Sequence, residues 1–308
     1  MRVVVIMMLC CALWSCSTSQ KTVENDWVKE NLSGKVKQVL IEQYKPLSDG
    51  EEVAGKENLG LMQQDTRIYN EQGYCVRMLH SSRGGKIQSK RVLEYDDKMQ
   101  LIKEIHHKGE DNTVLLTNNY KYDENGDLIE RSFIDIEKFG AKTLFEWNED
   151  KTVKVGKVMD EKGTVYSVYE ARYNEAGDVL DDARFNRDGA SMTFRVFNQY
   201  DKDGNLIRVE TYHPVGNNFT ISIRNSQGQE IEVKKYREGI IASACTYSYD
   251  EKGNESDVSC DIYENQVKRV VSSTMKYEYD AQGNWTKKVT YQDDEVTYVI
   301  ERTYEYYP

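Results

Sequence analysis

Tyr200-Asp201-Lys202-Asp203-Gly204-Asn205-Leu206 is the stretch that decides the fold. An Asp at the first corner offers an oxygen to the backbone two residues on, and Gly at the last accepts positive φ. A type I turn followed by a left-handed Gly is a common three-residue hairpin connection with a bulge. The same order of aromatic, Asp or Asn, two polar residues and Gly returns at Tyr69–Gly73, Tyr122–Gly126, Tyr173–Gly177, Tyr249–Gly253 and Tyr279–Gly283. Looser copies start at Tyr95, Trp147 and Arg224, so that successive copies lie 24 to 30 residues apart. A fixed period of this size marks a repeat architecture.

The flanks of each turn read as strands. Leu206–Tyr212 after one turn and Met275–Tyr279 before another are rich in Tyr, Val, Thr and Ile, with alternation of period two. Weaker turn signals fall about midway between the main ones, at Arg83–Gly85, Lys108–Gly109, Glu161–Gly163, Arg187–Gly189, Pro214–Gly216 and Glu238–Gly239. Each repeat of about 26 residues is therefore one β-hairpin, and nine repeats give about eighteen antiparallel strands in a long meander. Open twisted sheets of more than about ten strands curl, split or close. The expected fold is all-β, a meander that coils or rolls into an open barrel-like sheet. No Pro/Gly/Ser-rich linker divides it, so residues 32–308 read as a single β-repeat domain.

The turn also sets a register. Pairing Asp201 with Asn205 makes Tyr200 face Leu206, and the same rule pairs Tyr122 with Leu128, Tyr173 with Val179 and Tyr279 with Trp285. Over the nine copies the second position holds Cys75, Leu101, Leu128, Val153, Val179, Leu206, Glu230, Glu255 and Trp285. All but the two glutamates are apolar or cysteine, which predicts one buried stripe on the concave side, broken near 230–255. Under this register Cys245 faces Ser259 while Cys260 points to the other face. A disulfide between them requires a different register.

The chain begins with a targeting segment. Residues 1–15 read as a signal peptide, with Arg2 as a minimal basic region and Val3–Leu13 too short for a permanent span. Leu13-Trp14-Ser15-Cys16 resembles a bacterial lipobox, which implies cleavage before Cys16 and its modification by fatty acyl chains such as palmitate. Several acyl chains anchor firmly where one holds only marginally. Residues 16–31 then form a tether, with Thr22 as cap of a short helix carrying Val23, Trp27 and Val28. Ser17 is not the Asp that would signal retention at the inner membrane, so the expected location is the outer membrane, facing the periplasm or the surface.

The net charge of −11 disfavours nucleic acid, which needs a basic face. Asp201–Asn205 and Asp123–Asp127 look like calcium loops, but an EF-hand needs Gly sixth and Glu twelfth, where this chain has Leu206 and Tyr212, or Leu128 and Ile134. His106 and His107 are neighbours on a strand and point to opposite faces; His80 and His213 stand apart. No nucleophile elbow, phosphate loop or dinucleotide fingerprint occurs. Neither catalytic residues, metal ligands nor a cofactor is expected, and the ligand-binding residues are not legible. Charge on both strand faces, as at Lys103-Glu104, Glu130-Arg131 and Lys287-Lys288, argues against a lipid-facing barrel.

Tyr247–Asn254 and Tyr277–Asn284 spell Tyr-x-Tyr-Asp-x-x-Gly-Asn, and Tyr120–Asp127 and Tyr200–Leu206 follow closely. These residues resemble the YD repeat of the Rhs family, a likeness that runs over about 65–308. It implies a β-sheet wall of the kind that Rhs proteins spiral around a toxin, and related repeats are described as carbohydrate-binding. With no toxin segment after Tyr304–Pro308, the chain looks like a small YD-repeat lipoprotein of the Bacteroidetes type. The expected function is a non-enzymatic, envelope-anchored scaffold, held to the membrane by its lipid and contacting envelope proteins. The alternative is a glycan-binding lipoprotein, which requires Tyr or Trp rings exposed outside the packing stripe. A polysaccharide hydrolase ranks third, since it needs two acids set across a cleft.

Overall fold

The structure, a computed structural model, describes residues 24–47, 59–137, 140–187, 189–264 and 267–308. The signal segment, Cys16, the first half of the tether and Thr22 lie outside those residues.

Twenty strands follow one another from Val36–Pro46 to Glu295–Tyr306. Each pairs antiparallel with its chain neighbours, and the first also pairs with the last. The meander therefore closes into a barrel. Nine repeat hairpins account for eighteen strands; the two others are Val36–Pro46 and Glu295–Tyr306, and they make the seam.

That seam is a tenth copy of the repeat, built from the two chain ends. Tyr306 faces Val36 as Tyr200 faces Leu206, and in both places the register shifts by one residue immediately afterwards. Gly34 has φ of +77°, matching +84° at Gly204. The Tyr307 N–H donates to the Lys35 carbonyl at 2.8 Å, as the Asp201 N–H donates to the Asn205 carbonyl at 2.9 Å.

Elsewhere the turn chemistry is as the sequence reading anticipates, with one addition. In the turn at 201 the corner oxygen Oδ1 accepts from the N–H of Asp203 and also from that of Asn205, both at 2.9 Å. Asp123, Asn225, Asp250 and Asp280 repeat both bonds. Eight of the nine copies keep the expected pairing across the turn. The exception is Trp147, which faces Lys154 and not Val153. Lys151 replaces the turn Gly there with φ of +52°, and the Asn148 N–H reaches the Val153 carbonyl, one residue further on than usual.

The tyrosine hydroxyls explain why the repeat uses Tyr. At six of the bulges the carbonyl at the second position is capped by a tyrosine hydroxyl from the hairpin that follows. Tyr95 donates to the Cys75 carbonyl, Tyr122 to Leu101, Tyr200 to Val179, Tyr249 to Glu230, Tyr277 to Glu255 and Tyr304 to Trp285, at 2.7–3.0 Å. The aromatic ring packs while its hydroxyl satisfies a buried acceptor.

Cys245 and Cys260 form a disulfide, contrary to the register expected for that hairpin. Tyr249 does face Glu255, but Ser256 then bulges out, so Ser248 faces Asp257 and Cys245 faces Cys260. One bulged residue brings both sulfurs to the same face.

Along Met192–Tyr200 exposure alternates: Thr193, Arg195, Phe197 and Gln199 are exposed while Phe194, Val196, Asn198 and Tyr200 are sheltered. Side chains converge on the concave face of a closed barrel, so the sheltered tyrosine stripe lines the inside. A ring of twenty strands encloses more room than its own side chains fill. Fully buried apolar residues are accordingly few, and one cluster of them, Val36, Val39, Tyr69 and Cys75, sits beside the seam.

The N-terminal segment covers that cluster. The helix α1 (Asp26–Lys29) is capped by Asn25, whose side chain accepts from the Val28 N–H at 3.1 Å. Trp27 Nε1 donates to the Val36 carbonyl at 2.8 Å, taking at the seam the place of a capping tyrosine. Asp26 accepts from the Cys75 N–H at 2.6 Å, and Glu30 from the Tyr69 hydroxyl at 3.0 Å. Gly73 has φ of +85°, and a Cβ there would stand 2.6 Å from the Trp27 ring. Only glycine fits that contact.

Candidate functional site

Two hollows bring chemistry-bearing side chains together, one on each face of the barrel wall. The first lies inside the mouth, beneath the N-terminal segment. It measures about 290 Å³, and its walls include Lys252, Asn254, Tyr279, Trp285 and Arg302. The Arg302 guanidinium lies 3.6 Å from the centre of the Trp285 ring, and the Lys252 ammonium 3.3 Å from that of Tyr279. A cation thus lies over one face of each of these two rings; Tyr304, also in the wall, packs against Tyr306 instead.

The second hollow, of about 280 Å³, is on the outward face and is bounded by Arg195, Phe197, Glu210 and Tyr212. It belongs to a larger row set up by strand register. Arg195 faces Tyr212, Tyr212 faces Phe219, Phe219 faces Tyr236 and Tyr236 faces Ile241, so the row crosses five strands. The Phe219 and Tyr236 rings stack at 4.0 Å. Phe197, 45 % exposed, stands diagonally beside Tyr212. Arg195 is held by two bonds to Asp181, at 2.8 and 2.7 Å, and Glu210 pairs with Arg208 at 2.7 Å. None of these rings belongs to the tyrosine stripe.

No protein-family model matches the chain, and no curated protein is similar to it. Its neighbours among solved structures include porin-like proteins of Bacteroides. One, from Bacteroides uniformis, is 12 % identical, covers 89 % of this chain and 99 % of its own length, and superposes with a TM-score of 0.35. Another, from Bacteroides vulgatus, is 8 % identical over 89 % of this chain and 99 % of its own, with a TM-score of 0.25. The complex of TcdB2, TccC3 and Cdc42 matches 77 % of this chain and 16 % of its own at 12 % identity and a TM-score of 0.28. Scores this low carry no statement about what this chain binds.

The outward face also carries opposite charges directly across the hairpins, as in Glu94–Lys103 at 3.8 Å, Lys121–Glu130 at 2.7 Å and Glu278–Lys287 at 3.7 Å. These pairs add little stability in water. Their interest is that a lipid-facing band would be apolar.

Two acids on the sheltered face have shifted pKa values. Burial pushes the Asp182 carboxyl up to about 6, with Arg184 and the Tyr169 hydroxyl pulling the other way. Burial also pushes Glu104 up, but His106, Arg91 and the Tyr120 hydroxyl more than offset it, and the carboxyl ends below its usual range. The two residues stand on Val179–Asn186 and Leu101–Lys108, six strands apart in the meander.

The histidines serve local contacts. His106 Nε2 is 3.1 Å from Glu104 but poorly aligned for a hydrogen bond. His107 Nδ1 lies 2.8 Å from the Asn112 carbonyl, His80 pairs with Asp65 at 2.8 Å, and the His213 ring packs at a tilt against Phe194. Among the described residues, no three His, Cys, Asp or Glu side chains gather as a metal site. The glutamates that break the stripe are in use or near a cation: Glu230 accepts from Ser222 at 2.6 Å and pairs with Arg224 at 3.3 Å, while Glu255 lies within electrostatic reach of Lys288. The outward hollow lies within the hairpin closed by the Tyr200–Gly204 turn, on the side away from the tyrosine stripe. The mouth hollow is not legible in the sequence, because it needs the N-terminal segment laid beside the repeat turns at Asp250–Gly253 and Asp280–Gly283.

Proposed function

We propose that the chain is a non-enzymatic, lipid-anchored envelope protein that holds a polysaccharide on the outward face of its barrel. The observation that carries this reading is the row of Tyr212, Phe219 and Tyr236, with Phe197 beside it. Cross-strand aromatic pairs steady the sheet, and on a water-facing surface the same rings offer faces on which sugar rings stack while paired charges at the rim take hydroxyl contacts. Arg195 and Glu210 supply that rim in fixed positions. Acylation at Cys16, in the outer membrane, follows from the lipobox resemblance, and the YD-repeat resemblance fits a surface that binds carbohydrate.

Affinity electrophoresis against a panel of host and bacterial polysaccharides tests the proposal. At least one polymer is expected to retard the protein, and Phe197→Ala or Tyr212→Ala should abolish the retardation without changing thermal unfolding. Migration unchanged on every polymer would turn the same row into a docking face for an envelope protein, with crosslinking in the native envelope as the next experiment.

A further inference from the structure

The hollow inside the mouth has a different chemistry from the outward row. This chain is acidic overall, and most of its cations that face an acid are paired with it. Arg302 and Lys252 instead rest on aromatic rings, and neither has a carboxylate within ion-pair distance among the described residues. Among the described residues the Arg302 side chain makes one long hydrogen bond, 3.5 Å, to the Tyr304 hydroxyl, and its buried Nε has no partner. A guanidinium carries five donors in a rigid fork, so most of its capacity is unspent.

The acids close by are committed elsewhere. Glu30 lines the hollow but is bonded to Arg67 and Tyr69. Asp250 accepts from the Tyr279 hydroxyl at 2.9 Å and from the N–H groups of its own turn. Behind Arg302, burial pulls the Lys288 ammonium below its ordinary pKa; Glu255 opposes this and Arg302 adds to it. Arg302, Lys252 and Lys288 thus gather at this mouth, and the acids around them, Glu30, Asp250, Asp280 and Glu255, make no ion pair with Arg302 or Lys252 among the described residues.

We infer that the mouth cavity is a binding site for the carboxylate of a small polar ligand, with Arg302 as its forked contact and Lys252 as the second cation. The volume of about 290 Å³ suits a ligand of roughly one sugar residue. A neutral sugar is not the expected occupant, because Arg302 and Lys252 lie over the Trp285 and Tyr279 rings on which it would stack. Arg–carboxylate pairing is directional and charge-assisted, which fits the unspent donors of Arg302. This site is independent of the outward row and stands or falls separately from it.

The test is titration calorimetry of the full chain in detergent with glucuronate, with glucose as the neutral control and polygalacturonate as the polymer arm. Glucuronate is expected to bind and glucose to give no heat. Arg302→Gln and Lys252→Gln should each weaken glucuronate at least tenfold, with Arg302→Lys recovering only part of the loss. Polymer binding with the same dependence on Arg302 would identify the ligand as the acidic end of a polysaccharide; glucuronate binding alone would identify a free acid. No heat from glucuronate, equal binding of glucose, or glucuronate affinity unchanged in the variants overturns the proposal. Lys252 is an exposed turn residue, so its variant keeps the test open should Arg302→Gln fail to fold.

Discussion

Asp182 is the residue at which this barrel gives up stability. Its side chain is 2 % exposed; one oxygen accepts from the Tyr169 hydroxyl at 3.3 Å and the other has no partner. The folded pKa of about 6 lies above the 3.9 or so of an unfolded Asp. The folded state is therefore penalised for ionising this group. The penalty is absent below about pH 4, where both states hold the proton, and grows as pH rises towards and through 6. Asp182→Asn keeps the shape and removes the charge. We expect it to raise stability at pH 7 by on the order of 2–3 kcal/mol and to leave it nearly unchanged at pH 4. Urea unfolding at the two pH values checks this, and a variant that loses stability at pH 7 would mean the carboxylate is charged and compensated. Nothing in the fold explains why the acid is kept.

At the scale of the element, the hairpin turn was readable and the bulge behind it was not. The sequence pattern Tyr-Asp-x-x-Gly fixes the pairing at the turn because Gly must take positive φ and Asp must cap it. A bulge leaves no such mark, since Ser256 or Ile207 differs in nothing from a regular strand residue. That is why the Cys245–Cys260 pairing was misjudged although Tyr249–Glu255 was placed correctly. The outward aromatic row was hidden for a related reason: it needs the register of the weaker turns at Pro214–Gly216 and Glu238–Gly239 as well as the strong one. The disulfide offers a direct check on the bulge. Unfolding without reductant should leave Cys75 as the one of the three downstream cysteines that reacts with a thiol reagent. In the native protein Cys75 should be inert at pH 8, because burial, with Asp26 and Glu30 nearby, pushes its thiol up to about 12. The double variant Cys245→Ser, Cys260→Ser should lose at most about 3 kcal/mol, the chain-entropy value for a loop of this length. Reaction of all three thiols in the unreduced protein would return the hairpin to its unbulged register.

For the whole molecule, closure is the feature that the repeat alone did not reveal. Nine continuous hairpins would leave two sheet edges, and exposed edges invite pairing with other chains. The seam removes both edges by making a tenth hairpin from Gly34–Val36 and Tyr306–Tyr307, which the sequence separates by almost its full length. It is the one hairpin with no covalent turn, so its closure must overcome the entropy of the longest loop in the fold. Trp27 capping Val36 and Asn284 bonding Ser33 at 2.7 Å add contacts there.

A closed barrel raises the question of whether it crosses the membrane or is tethered to it, and the outward face discriminates. Arg195, paired with Asp181, stands mid-strand on that face, where hydrocarbon would be, while Lys121–Glu130 and Glu278–Lys287 lie one residue from their turns. A Lys or Arg on the lipid face at the bilayer midplane costs about 2–4 kcal/mol each. On the proposed reading the attachment resides in Cys16. We expect the wild-type chain to sediment with the outer membrane and to partition into the detergent phase on Triton X-114 separation. Cys16→Ser, exported behind a signal of the ordinary secretory kind, should appear in the soluble periplasmic fraction as a folded barrel with its disulfide intact. A Cys16→Ser protein that stays in the membrane and resists alkaline extraction would show that the wall itself is embedded.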